Sequence, residues 1–219
     1  MPYQRGLICL LCGTPHLNER LLGSCPQCEG SIAIDYDYES IRGEVNREKL
    51  ISRSPGVWKY QELLPISYRS NIISLGEGGT YLHKAQRIAE KLSLRKLLIK
   101  DETTNPTGSF IDRGVTVEVS KARELRYHSA ACGTTGNLGA SLAAYSAKAG
   151  LRCKIFLPRR IELGKFYQII TYGADVEATQ DYDEALTRVA QLESRYYLAS
   201  PSDPYFLEGL KTTGYEICE

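Results

Sequence analysis

The chain has 219 residues, 42% of them hydrophobic and 24% charged, with a formal net charge of +1 at pH 7. That length suits one medium domain plus a small module, with enough apolar content to build a core. Near-neutral, interspersed charge excludes the strong field that draws a protein to nucleic acid or anionic lipid. Apolar stretches such as Leu7-Ile8-Cys9-Leu10-Leu11 are too short for a bilayer span or a signal-peptide core. The expectation is therefore a cytoplasmic protein with no membrane and no nucleic-acid partner.

Seven cysteines are present, and four of them crowd the first thirty residues as Cys9-x-x-Cys12-Gly13 and Cys25-x-x-Cys28-Glu29-Gly30. A two-residue gap turns both thiolates of a pair toward one point, and a small residue behind the second cysteine permits the tight turn. Two such knuckles supply four soft ligands, which suit a closed tetrahedral zinc site. An extracellular disulfide framework does not pair this way, and four unrelated thiols or a redox dithiol fit the double motif less well. So short a segment has little core of its own, so the metal is expected to supply most of its folding free energy and to act as a brace. His16, between the knuckles, is expected to be an exposed loop residue. Arg5 and Arg20 are the basic groups of this head, with no aromatic–basic stripe to read a nucleic acid.

The zinc-ribbon-like module is placed at residues 1–35 and an α/β domain at 36–219. Residues 31–70 read as an irregular linker onto that domain, and Ser74–Thr80 as a glycine-rich loop. Helical periodicity follows from Lys84 to Leu92, then a short buried strand Lys96–Lys100 and a helix Ser109–Leu125. A strand Tyr127–Cys132, a helix Gly136–Ala149 and a strand Cys153–Leu157 come next. Further on, a helix spans Lys165–Tyr172, a strand Ala174–Glu177, a helix Tyr182–Arg195 and a strand Tyr196–Leu198, with a helix beginning near Glu208. This alternation argues for an open, mainly parallel sheet with helices on both faces. Ligands of such sheets gather at the carboxyl ends of the strands, which points to the loops Asp101–Ser109 and Gly133–Gly139.

Three segments carry a family resemblance: Ser74-Leu75-Gly76-Glu77-Gly78-Gly79-Thr80, Lys100 through Asn105-Pro106-Thr107-Gly108-Ser109-Phe110-Ile111-Asp112-Arg113-Gly114, and Thr134-Thr135-Gly136-Asn137-Leu138-Gly139-Ala140-Ser141-Leu142-Ala143-Ala144-Tyr145. In this order, behind a cysteine-rich head, they resemble threonine synthase, of fold type II among the pyridoxal-phosphate enzymes. Gly173-Ala174-Asp175 and Glu208-Gly209-Leu210-Lys211-Thr212 are similar to that family as well. The fold implied is tryptophan synthase beta-like and incomplete.

The resemblance implies a lysine at the position of Ile111, whose amine holds the cofactor aldehyde and then moves a proton at the substrate carbon. A hydrocarbon can do neither. Lys100, eleven positions upstream, is not expected to replace it. The resemblance also implies that Asn137 bonds the cofactor ring hydroxyl, and that Thr134, Thr135 and Gly136 offer backbone N–H groups to a substrate carboxylate. The alternative for these residues is a plain helix cap and turn, and for Asp112 and Arg113 a surface helix pair. The sequence given ends at Glu219, and the resemblance puts the remaining strands and the glycine-rich loop for the cofactor phosphate after that point. The expectation is thus inherited geometry without covalent pyridoxal-phosphate chemistry: a binding or regulatory module, associating as a homodimer or with a full-length relative, with a vestigial pocket for a small molecule. The alternative is an active lyase that converts O-phosphohomoserine to threonine, completed by another chain.

Overall fold

Alternating apolar and polar residues make Gln4–Cys9 (β1) and Ile32–Tyr36 (β3) antiparallel partners, with Pro15–His16 (β2) pairing the other edge of β1. The computed structural model describes residues 3–17, 23–192 and 194–219, so Arg20 lies outside the described residues. The buried face of this small sheet, Leu7, Ile32, Ile34 and Tyr36, shares one cluster with Ile41, Val57, Leu64, Val117 and Tyr205, so the head rests on the main body.

The segment expected to be an irregular linker is largely ordered. Tyr38–Glu44 (α1) and Arg47–Ile51 (α2) are short helices, followed by 3-10 turns at Val57–Leu63 and Arg69–Asn71. Their length hides any periodicity, and their start signals are single side chains. Asp37 accepts from the Ser40 N–H and Asn46 from the Lys49 N–H, which satisfies donors that a helix start leaves open.

Leu82–Lys84 (β4) and Leu98–Lys100 (β5) form a separate antiparallel pair around Gln86–Lys91 (α3). The strand expected to be buried at 96–100 is in fact exposed, because it pairs with β4 outside the main sheet. Leu82, Ile88, Leu92, Leu98 and Ile99 all stand in solvent there.

Next come Asp112–Glu124 (α4), Ser129–Gly133 (β6), Asn137–Ala149 (α5), Arg152–Pro158 (β7) and Leu163–Thr171 (α6). Asp175–Thr179 (β8), Tyr182–Ala190 (α7), Tyr196–Leu198 (β9) and Pro204–Cys218 (α8) complete the order. The four strands form one parallel sheet in the order β8-β7-β6-β9. Successive side chains on a strand face opposite ways, and β7 shows the consequence. Ile155 and Leu157 join the core beneath α4 and α5, while Phe156 packs with Ala185 and Val189 of α7 on the other face. Helices thus cover both faces, as the alternation of elements implied.

α4 lies at the centre, with every residue from Asp112 to Ala122 buried. It packs on α8 so closely that Gly209 carries no side chain for a steric reason: a Cβ there would lie 1.9 Å from the Arg113 carbonyl oxygen. Among the described residues, no helix is long and apolar enough to cross a membrane.

Candidate functional site

The carboxyl ends of the parallel strands frame a cavity of about 270 Å³, lined by Ile111, the Gly133–Leu138 turn, Glu162, Lys165, Tyr182 and Pro201. The turn after β6 forms one wall. Gly136 has φ +151°, a conformation that side chains resist, and the turn is closed by Thr134, whose Oγ1 accepts from the Gly136 N–H at 2.9 Å and the Gly139 N–H at 3.3 Å. Thr134 is itself buried, and its own N–H donates to the Phe156 carbonyl at 3.0 Å. Thr134, Thr135, Gly136 and Asn137 therefore stand together at the start of α5, where helix geometry concentrates N–H donors and positive potential. Within that wall, the Thr134 and Gly136 amides are already bonded inside the protein.

Ile111 faces the same cavity from the start of α4, half-buried and packed against the main core. It brings two methyl-bearing branches and no titratable atom. Behind it, Asp112 and Arg113 are both wholly buried, so the reading of a surface helix pair is wrong. Asp112 accepts from the Thr107 N–H and Oγ1, each at 2.7 Å, and from Ser141 Oγ at 2.6 Å. Burial nevertheless pushes its carboxyl above the usual range, against these three donors. Arg113 fans out to Glu102 at 2.7 Å, Glu216 at 2.8 Å, Thr80 at 3.0 Å and Thr212 at 3.1 Å. Lys100 pairs with Glu216 at 2.7 Å and donates to the Thr80 carbonyl, so its amine is committed away from the cavity.

The glycine-rich loop is stitched to the same framework. Glu77, 1% exposed, accepts from Trp58 Nε1 at 3.0 Å, Tyr145 Oη at 2.7 Å and the Leu75 N–H at 2.9 Å. The Gly78 N–H donates to Asn105 Oδ1 at 2.9 Å and the Gly79 N–H to Glu216 at 2.7 Å. The three segments that carry the resemblance are thus one bonded unit.

Lys165 is the residue that sequence reasoning overlooked. It lines the cavity that Ile111 faces, its stem passes the Gly136 turn, and its Nζ donates to the Thr107 carbonyl at 3.1 Å. Glu162, Tyr182 and Pro201 were missed as well. All four follow the carboxyl ends of β7, β8 and β9, where the strand rule, applied to every strand, finds them.

In the head, the Sγ atoms of Cys9, Cys12, Cys25 and Cys28 lie within 4.8 Å of one another. Cys9 and Cys28 are 3.5 Å apart, and Cys12 and Cys25 3.8 Å. A zinc ion with Zn–S bonds of about 2.3 Å requires tetrahedral edges of about 3.8 Å, so the four sulfurs fit such an ion. Thr14, through its hydroxyl and then its backbone, lowers the Cys12 thiol to about 6, while at Cys28 the downward pull of the Gly30 N–H is outweighed by the neighbouring sulfurs, which push that thiol up to about 12. His16 is not a loop residue: it sits in β2, half-buried, with Nε2 3.5 Å from Cys25 Sγ. The antiparallel pairing of β2 with β1 carries it there.

Residues 73–219 match the family model described as pyridoxal-phosphate dependent enzyme. Threonine synthase of Methanocaldococcus jannaschii is 44% identical over 215 residues, covering 96% of this chain and 53% of that protein. Its counterpart in Methanosarcina acetivorans is 42% identical over 217 residues, covering 97% and 53%. Among solved structures, the processed form of threonine deaminase isoform 2 from Solanum lycopersicum superposes with a TM-score of 0.57 at 25% identity, covering 63% of this chain and 39% of that one. The chain spans about half the length of the curated relatives it matches.

Proposed function

We infer function from one premise: the chain belongs to the pyridoxal-phosphate dependent enzyme family. We propose that it is a threonine-synthase-like protein without the covalent chemistry of that family, acting as a binding or regulatory module. A single observation carries this reading: the side chain that faces the cavity from the start of α4 is Ile111. The cofactor, when bound, supplies an electron sink for carbanion chemistry, and a family enzyme also needs an amine to hold its aldehyde and move the substrate proton. Ile111 does not fit that part. What remains is a polar wall in which Thr135 and Asn137, beside the already bonded Thr134 and Gly136 amides, are suited to orienting a small anionic or zwitterionic molecule without reacting with it.

Cys9, Cys12, Cys25 and Cys28 are proposed to hold a structural zinc. Four sulfurs close the coordination shell, so the ion braces the head and takes no part in chemistry. Association, as a homodimer or with a full-length relative, is proposed on the exposed apolar side chains of β4, α3 and β5. A clean, stable monomer in sedimentation would count against it.

A second reading, an active lyase completed by another chain, is favoured by one observation: Lys165, an amine-bearing side chain, lines the same cavity. Titrating the purified protein with pyridoxal phosphate, with absorbance scans and a phosphate-release assay on O-phosphohomoserine, separates the two. The module reading expects no band of covalently bound cofactor and no phosphate. Both signals together, lost in Lys165→Ala, would establish the lyase.

A further inference from the structure

Away from the cavity, two carboxyl groups meet inside the core between α4, β9 and α8. Glu118 and Asp203 are 0% exposed. Asp203 caps α8: its Oδ1 accepts from the Tyr205 N–H at 2.8 Å, and its Oδ2 accepts from the Tyr197 hydroxyl. Glu118 Oε1 accepts from the Ser200 N–H at 3.0 Å, whereas Oε2 has no N–H or O–H donor among the described residues. The two carboxyl groups lie within hydrogen-bond reach of each other, beside Ser200, whose carbonyl accepts from the Asp203 N–H at 3.0 Å. Two bare carboxylates in such a place would repel, and neither could donate. A proton on Glu118 Oε2 changes the contact into an O–H···O bond, satisfies the orphan and removes one buried charge. The negative charge then stays on Asp203, where two donors and the N-terminus of α8 stabilise it.

We propose that Glu118 and Asp203 share one proton, and that this proton is a pH-sensitive latch that holds the Ser200–Pro201 turn in place. The turn links β9 to α8, its Ser200 N–H is fixed by Glu118, and its Pro201 lines the cavity beside Ile111. Removal of the proton puts two negative charges side by side, weakens the α8 cap and frees the turn, so the wall of the cavity loosens as pH rises. The groups around the pair do not cancel this effect. Tyr197 from β9 and Cys132 from β6 are neutral, buried, and pushed further up by burial. The Tyr205 ring of α8 lies 5.0 Å from Lys121 Nζ. Lys121 of α4 favours the charged form of Asp203, and its Nζ pairs with Glu124 at 2.8 Å. Burial raises Asp203 to about 6 and Glu118 well above its usual range, in keeping with one proton between them.

The sign follows from linkage. Both groups titrate higher in the folded protein than in the unfolded chain. Their contribution is full below the unfolded carboxylate range and is lost as pH rises through the folded values. The test is urea denaturation of the full chain at pH 5, 6, 7 and 8 for wild type, Glu118→Gln and Asp203→Asn. The amide introduced by Glu118→Gln keeps an acceptor for Ser200 and adds a fixed donor for Asp203. The folding constant of wild type should fall with rising pH relative to Glu118→Gln, by up to about tenfold per pH unit while the pair keeps its proton, and Asp203→Asn should reduce the slope in part, since burial of Glu118 remains. Amide exchange at Ser200, corrected for base catalysis, should accelerate with pH in wild type and hold constant in Glu118→Gln. Should either variant fold poorly, the infrared band of a protonated carboxyl in wild type that the other variant removes still reports the proton. Parallel pH profiles for wild type and the folded variants, or no such band at pH 7, would overturn the latch. The outcome is independent of whether the cavity takes a ligand.

Discussion

Gly209→Ala probes the contact that sets the start of α4, and through it the place of Ile111. The new Cβ would sit 1.9 Å from the Arg113 carbonyl oxygen, 2.7 Å from its carbon and 2.8 Å from Gly114 Cα. All three are backbone atoms, so no side chain can swing aside. Ordinary contact begins near 3.4 Å, and α8 must therefore retreat by about 1.5 Å. Overpacking alone costs about 1–3 kcal/mol. Retreat also stretches the bond of Arg113 to Glu216, now 2.8 Å, between groups with side chains 0% and 8% exposed. Weakening a buried pair adds to the loss, because complete removal of one partner costs about 3–5 kcal/mol. The expected total is at least about 3 kcal/mol, a large share of the roughly 5–15 kcal/mol that holds a domain together. Urea denaturation followed by far-ultraviolet circular dichroism reads it as a lower midpoint. Gly214→Ala is the control on the same helix, since its Cβ would meet nothing within 4 Å, and it should be neutral or stabilising by up to about 1 kcal/mol. Equal midpoints for Gly209→Ala and Gly214→Ala would refute the close helix contact.

Arg113→Met strips the cation from Glu102 and leaves Glu216 with Lys100 alone, and should destabilise by about 3–5 kcal/mol in the same assay. In wild type, burial pushes Glu216 up, but bonds from Arg113, Lys100 and the Gly79 N–H outweigh it and hold the carboxyl at about 2. A depressed carboxylate stabilises above its unfolded range and loses that contribution as pH falls toward 2, so acid unfolding between pH 4.5 and 2 should be shallower in Arg113→Met than in wild type. In the head, metal analysis should find one zinc per chain, with chelation melting the signal of β1–β3, Cys25→Ser losing most of the metal and His16→Ala retaining it.

Much of this was legible in the sequence, and the reasons differ from element to element. The parallel sheet and its helices follow from long periodic stretches such as 112–124 and 137–149, where pattern and length agree. The cysteine cluster follows from spacing alone, because each knuckle is built from local turns. Local pattern does not reveal which strand pairs with which, so 96–100 read as core although it pairs with β4 outside the main sheet. The burial of Asp112 and Arg113 rests on partners as distant as Ser141 and Glu216, beyond any local window. Lys165 reaches the cavity only because α6 follows β7 to the same sheet end, and the Glu118–Asp203 pair joins residues 85 positions apart.

The proposed loss of covalent chemistry rests on one position, Ile111. Wild type and Ile111→Lys should be titrated side by side with pyridoxal phosphate, and the absorbance followed, with borohydride trapping and peptide mapping to locate any covalent attachment. No attachment is expected in the wild-type cavity, and stoichiometric attachment is expected at position 111 in the variant. Stoichiometric attachment in wild type, at Lys165 or any other cavity amine, would contradict it.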